Sequence, residues 1–218
     1  MTGSFVHSLR QKVDAQWDQA RRGEFWQLVM SRPVSKDLWR DMLLQVYHYS
    51  KHNSVNQAAC AFVPAPEGLI KFAYRHAAEE LGHEKMVVHD LKSIGMWKDE
   101  DADSEPLPAA EALSGYLYAV ALRYGALPRL GYSFWAESAH DHIGEPLAKI
   151  CKDLGLTSKN VTFFGAHAEA DQEHIKQVEE AIEKYATRRE DQVLVERVAL
   201  ATLSLSHQLL DQIARRHA

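Results

Sequence analysis

From one end of this 218-residue chain to the other, apolar residues recur every three to four positions, and no stretch alternates in the period-two manner of a strand. That rhythm confines the chain to helices that bury one face against each other. A first helix is expected over residues 4–20, and a short one over EFWQLVMS stops before Pro33. Ser35 is placed to cap a long helix running from KDLWRDMLLQ to CAFV, which PAPEG then breaks. LIKFAYRHAAEELGHEKMVVHDLKSIG reads as one further helix, stopped at Gly95. The acidic, proline-bearing WKDEDADSEPLP reads as an exposed loop. EALSGYLYAVALRYG follows, then PRLGYSFWAESAHDHIGEPLAKICKDLG, with a kink or break expected at Gly144 and Pro146. Thr157 or Ser158 is expected to cap the next helix, and a last one fills residues 189–216. The sum is an all-α bundle of seven or eight helices, one domain over residues 1–218 without repeat or linker.

A chain this long can bury a real core without disulfides, and 46% hydrophobic with 25% charged residues is the balance of a soluble globular protein. A net charge of −5, a pI near 6.2 and the lack of any basic block argue against nucleic acid or an anionic membrane as partner. With no apolar leader in MTGSFVHSLRQKVD and no run of 18 uninterrupted apolar residues, the expected location is the cytoplasm. Cys60 and Cys151 form no CxxC pair and read as reduced core thiols. Histidine is the outlier, with twelve in the chain, bunched toward the middle.

FFGAHAEADQEHIKQ carries His167, Asp171 and His174 at spacings of four and three, which on a helix fall within about 60° of one another. Imidazole and carboxylate in one stripe suit iron, manganese or zinc. A solvated polar face is the alternative, and Glu169, Gln172, Glu173, Lys176 and Glu179 supply one. Glu80 and His83, in HAAEELGHEK, are an i, i+3 pair of the kind helical bundles use for paired metals. Composition alone yields such a pair by chance, Glu79 could replace Glu80, and His76 and His89 read equally as ordinary polar residues. Glu137, in YSFWAESAHDH, lies where an aromatic run meets a polar one; a carboxylate buried there needs a partner or a cation. His140 and His142 follow it. Three histidines and three carboxylates would leave two Fe(II) ions near neutrality, with positions open for oxygen. Tyr47, Tyr132, Phe134 and Phe163 are candidates for an apolar pocket, or plain core.

At these residues the chain resembles the heme-oxygenase-like diiron oxidases, within the superfamily that includes the TenA thiaminases and pyrroloquinoline-quinone synthase. The segments EELGH, WAES and HAEADQEH match the family's ligand segments in order, and the likeness spans about residues 35 to 180. The resemblance implies a heme-oxygenase-like/TenA-type bundle holding two iron ions through Glu80, His83, Glu137, His167, Asp171 and His174. Glu137 would bridge the ions and be the catalytic carboxylate. O2 would be co-substrate in an attack on a C–H or N–H bond, or an oxidative cleavage, of a small organic substrate such as a fatty or amino acid. It also implies a homodimer. The alternatives are a metal-independent TenA-like thiaminase or hydrolase, a cofactorless oxidase like pyrroloquinoline-quinone synthase, and a non-catalytic small-molecule binder on the same scaffold.

Overall fold

In a computed structural model, which describes residues 4–218 apart from the side chains of residues 168–172, the periodicity resolves into ten α-helices and three short 3-10 turns. Helix α1 (Phe5–Ala20) starts at Ser4, whose hydroxyl accepts from the His7 N–H, and α2 (Glu24–Ser31) stops before Pro33. The Ser35 hydroxyl accepts from the Leu38 N–H and opens α3 (Lys36–Ala59), as a polar cap should. Then come α4 (Glu67–Glu79), α5 (Glu84–Ser93), α6 (Pro108–Tyr124), α7 (Ala126–Ala136), α8 (His140–Leu154), α9 (Thr162–Tyr185) and α10 (Arg189–Arg216).

Helices beyond the expected seven or eight come from two breaks, and both fall at candidate ligands. The helix expected to run through AAEELGHEK stops at Glu79 and restarts at Glu84, because Gly82 adopts a φ of +95°, a left-handed conformation cheap only for glycine. The later break lies at residues 137–139, not at Gly144 and Pro146 as expected. Pro146 sits inside α8 and forfeits only its own bond toward the His142 carbonyl, so the helix continues past it. The start of α9 also differs from expectation. Thr157 opens a 3-10 turn over Ser158–Asn160, while the buried Asp90 carboxylate accepts from the Thr162 and Phe163 N–H groups. A carboxylate on α5 thereby satisfies the orphan donors of α9 and fixes the origin of the histidine row.

The expected exposed loop is tied down. Asp101 is buried, 2.5 Å from the Arg40 guanidinium, within a 3-10 turn over Asp99–Asp103.

Helix α10 runs along α7, with α6 and α1 beside it. Gly131 permits the approach: a Cβ there would lie 2.3 Å from the Val195 carbonyl oxygen and 2.8 Å from the Ala199 nitrogen. Among the described residues α10 is the one helix long and apolar enough by length and composition to cross a membrane. Its face bearing Val195, Val198, Ala199, Leu203 and Ile213 is buried against α7 and its neighbours.

Candidate metal centre

The two breaks and α9 meet. Glu80 and His83 occupy the turn between α4 and α5, Glu137 the turn after α7, and His167 and His174 one face of α9. His83 Nδ1 lies 3.2 Å from Glu80 Oε2, and His174 Nδ1 lies 3.4 Å from Glu137 Oε2. The rings of His83 and His167 are 4.8 Å apart. Five of the six residues expected from the sequence are therefore brought together; the sixth, Asp171, lies outside the described residues.

Two more donors join them. His76, on α4 and 3% exposed, places Nε2 3.2 Å from Glu137 Oε1, and its ring stands 5.1 Å from that of His174. Glu79, at the end of α4, lies 3.5 Å from His174 Nε2. The ligand atoms form three overlapping groups, each within 4.8 Å: Glu80 with His83 and His167, His76 with Glu79 and His174, and His76 with Glu80 and Glu137. Glu80 and His76 link the groups. The geometry does not choose between Glu79 and Glu80; each lies beside a different imidazole.

The same atoms can share protons as ion pairs or hold a cation between them. His76 Nε2 and His83 Nδ1 are buried 3.2 Å from carboxylate oxygens, yet neither makes an aligned hydrogen bond. These nitrogens and oxygens converge from separate helices on a shared point. The far side of one ring agrees. His167 Nδ1 is 2.6 Å from the Phe163 carbonyl, which can only accept, so the proton sits on Nδ1 and the Nε2 lone pair is free. Gln57 Nε2 lies 2.6 Å from His76 Nδ1 and donates to it, which holds the ring by the nitrogen that does not face Glu137. Imidazole nitrogens and carboxylate oxygens in this proportion are the donor set of a first-row divalent ion.

Without a metal, protons stand in for it. Burial works to raise Glu137, but the imidazoles of His174 and His76 outweigh it and hold the carboxyl at about 2. Burial likewise opposes ionisation of Glu80, and His83 overcomes it to lower its pKa. In return, contact with Glu80 raises His83 and contact with Glu137 raises His174 above the usual imidazole value.

Behind the cluster lies a buried cation. Arg129 on α7 is 2% exposed and donates to Asn56 Oδ1 at 2.9 Å, Ser133 Oγ at 2.9 Å and Asn53 Oδ1 at 2.6 Å. The Asn53 amide then donates to Glu80 Oε2 at 2.9 Å, so the guanidinium orients a candidate ligand through one side chain. The sequence carries a trace of this network: Arg129, Ser133 and Glu137 are spaced by four in an apolar, aromatic helix, where an arginine is out of place unless paired.

The cluster opens into a cavity of about 200 Å³ lined on the ligand side by His76, Glu80, Glu137 and His167 and elsewhere mostly by apolar side chains. Of the aromatics expected there, Tyr132 and Phe163 line it; Tyr47 and Phe134 do not, and Phe134 is fully buried core beneath the Arg10 guanidinium.

The sequence model of a family described as "Iron-containing redox enzyme" matches residues 40–207. A protein from Shewanella denitrificans OS217, described as a domain of unknown function with a heme oxygenase-like fold, is 33% identical, with a TM-score of 0.93 over 97% of this chain and 93% of that one. A TenA homologue from P. horikoshii OT3 superposes with a TM-score of 0.77 at 14% identity, over 98% of this chain and 99% of its own. A CADD-like protein of unknown function from Nostoc punctiforme PCC 73102 gives 0.75 at 12% identity, over 97% of both chains. These last two likenesses concern the fold, the heme-oxygenase-like/TenA bundle. No curated protein matches the chain.

Proposed function

The chain belongs to the iron-containing redox enzymes, and from that membership we propose that it is a non-heme diiron oxidase using O2 to oxidise a small organic substrate. The observation that carries this reading is the convergence of imidazole nitrogens and carboxylate oxygens from three places in the chain into three overlapping groups, each within 4.8 Å. Glu80, His83 and His167 would hold one ion, and His76, Glu79 and His174 the other, with Glu137, grouped with Glu80 and His76, within reach of both sets. Asp171 belongs to this set by its place in the His167 row. Bound iron would supply the redox equivalents and the open positions at which O2 reacts.

The protein's own groups have separable tasks. Asn53, through Arg129, fixes the Glu80 carboxylate, Gln57 holds the His76 ring at Nδ1, and the Phe163 carbonyl fixes the tautomer of His167. The apolar cavity wall keeps bulk water from the reacting centre and strengthens every electrostatic contact inside it. Glu79, with a side chain 41% exposed and 3.5 Å from His174 Nε2, gives the cluster an edge at which a proton can pass to solvent. A thiaminase-like route through a cysteine finds little support, because neither Cys60 nor Cys151 is among the cavity-lining residues and burial raises both thiols.

Loading the purified protein anaerobically with Fe(II) and then adding O2 tests the reading. The loaded protein should consume O2 in proportion to bound iron, at about two irons per chain. Iron that binds but consumes no O2 above the rate of free Fe(II) would overturn it.

A further inference from the structure

Trp135 lies in the last turn of α7, two residues before Glu137, and lines the same cavity as Glu137 and His167. Its ring meets that of Trp17 on α1 edge to face, with centroids 6.2 Å apart. Trp17 in turn lies parallel to the ring of His142 on α8, at 4.8 Å and with 10° between the planes. His142 reaches the surface: its Nδ1 is 3.2 Å from the Arg21 guanidinium, and its Nε2 is 3.4 Å from the half-exposed Asp14 carboxylate. Three rings therefore connect the wall beside a candidate ligand to the outside of the bundle. Trp26 and Trp39 instead pack on phenylalanines, Phe25 and Phe164, whose rings are far harder to oxidise.

Indoles are among the side chains that give up one electron most readily, and rings this close pass the vacancy between them. Two observations set Trp135 and Trp17 apart from ordinary packing. First, both hold on to their proton. Trp135 Nε1 donates at 2.8 Å to Thr202 Oγ1, which itself donates to the Val198 carbonyl, and Trp17 Nε1 is sealed without an acceptor among the described residues. With no base beside either N–H, a positive charge on the ring is passed on rather than fixed as a neutral radical. Second, the charges along the line are unequal. At the inner end the buried Arg129 guanidinium lies 4.5 Å over the ring of Tyr132, which packs on Trp135 at 5.2 Å. A fixed cation there disfavours positive charge on the phenol ring. At the outer end the carboxylates of Asp14, Asp18 and Asp141 act on His142 against one cation, Arg21, and burial keeps the imidazole below its usual pKa and so uncharged near neutral pH. Positive charge is drawn outward, toward Trp17, and electrons inward.

We propose that Trp135 and Trp17 form an electron-transfer line that carries electrons from the surface at His142 to the metal centre when no organic substrate is there to supply them. Trp135 gives one electron to oxidised iron, Trp17 refills Trp135, and an external one-electron reductant of the thiol or ascorbate class refills Trp17, releasing its own proton to solvent. That O2 supplies the oxidising equivalents rests on the oxidase reading above; the line itself needs only iron that can be oxidised in the cluster.

The test loads the full-length protein with Fe(II) anaerobically and adds stoichiometric hydrogen peroxide, without substrate or reductant, because peroxide oxidises bound iron whether or not the protein activates O2. The readouts are frozen-solution EPR and the sites of added oxygen, located by peptide mass spectrometry. A tryptophan radical and oxygen on Trp17 are expected in the wild type, and ascorbate should remove both. Trp135→Phe should lose the labelling of Trp17 while binding iron as before, and Trp17→Phe should move it to Trp135; if Trp135→Phe does not fold, Trp17→Phe decides alone. Trp97 is the internal control: it is more exposed than Trp17, so an oxidant diffusing in solution reaches it first. Labelling of Trp97 ahead of Trp17, equal labelling of Trp17 in wild type and Trp135→Phe, or oxidised iron with neither radical nor label would overturn the line. A chain that consumes no O2 yet labels Trp17 with peroxide keeps the line and loses the oxidase reading. One that consumes O2 with Trp17 untouched by peroxide keeps the reading and loses the line, and one that binds no iron loses both.

Discussion

Asn53→Ala should weaken Fe(II) binding by about 10- to 100-fold, measured by anaerobic competition with a chelator of known affinity. Asn53 is not a candidate ligand, but it holds one. Its Nδ2 donates to Glu80 Oε2 at 2.9 Å while its Oδ1 accepts from Arg129 Nη2 at 2.6 Å. Truncation frees Glu80 to rotate and leaves a buried guanidinium N–H unpaired, a loss of roughly 2 kcal/mol in stability. Asn56→Ala separates the two effects. Asn56 accepts from Arg129 Nε at 2.9 Å and has no hydrogen bond to Glu80, so its loss should destabilise the fold to a similar extent with iron affinity little changed. Equal loss of iron in both variants would mean that general loosening, not the orientation of Glu80, sets the affinity.

Glu137→Gln should have the larger effect on metal, lowering iron affinity by more than about 100-fold, because it removes a carboxylate from between His76 and His174 rather than an orienting partner. The same variant carries a pH signature without metal. The Glu137 carboxyl is held at about 2, so its stabilising contribution is complete above the ordinary carboxylate pKa of 4.5 and is lost as pH falls through 2. His174 is raised, so its contribution is complete below 6.5 and is lost as pH climbs through the raised value. The pair is worth most between pH 4.5 and 6.5. Urea unfolding of metal-free wild type and Glu137→Gln should therefore differ by about 3 kcal/mol in that window and converge at higher pH. A difference independent of pH would deny the coupling of these two groups.

The pattern of the chain revealed the bundle because each helix must keep its apolar stripe, and the row His167, Asp171, His174 stood out because two imidazoles and a carboxylate at helical spacing serve no packing purpose. What stayed hidden was set by backbone and by distance. Gly82 was read as part of a helix, yet its positive φ turns Glu80 and His83 out of a regular helix into a turn. His76 read as an ordinary polar residue, since only the tertiary fold shows it buried against Glu137 and His174. Asn53 and Gln57 carry no motif at all; their roles exist only because α3 lies beside α4. The two carboxylates Glu79 and Glu80 looked like rivals for one position, whereas the turn gives each its own imidazole, His174 and His83.

Anomalous diffraction at the iron edge, from crystals grown with Fe(II) under anaerobic conditions, puts the convergence of these side chains to the most direct trial. Two iron peaks are expected inside the cluster, one against Glu80, His83 and His167 and the other against His76 and His174, with the Glu137 carboxylate between them. Iron peaks elsewhere on the protein, or a fully loaded sample in which His76, Glu137 and His174 touch no metal, would contradict it.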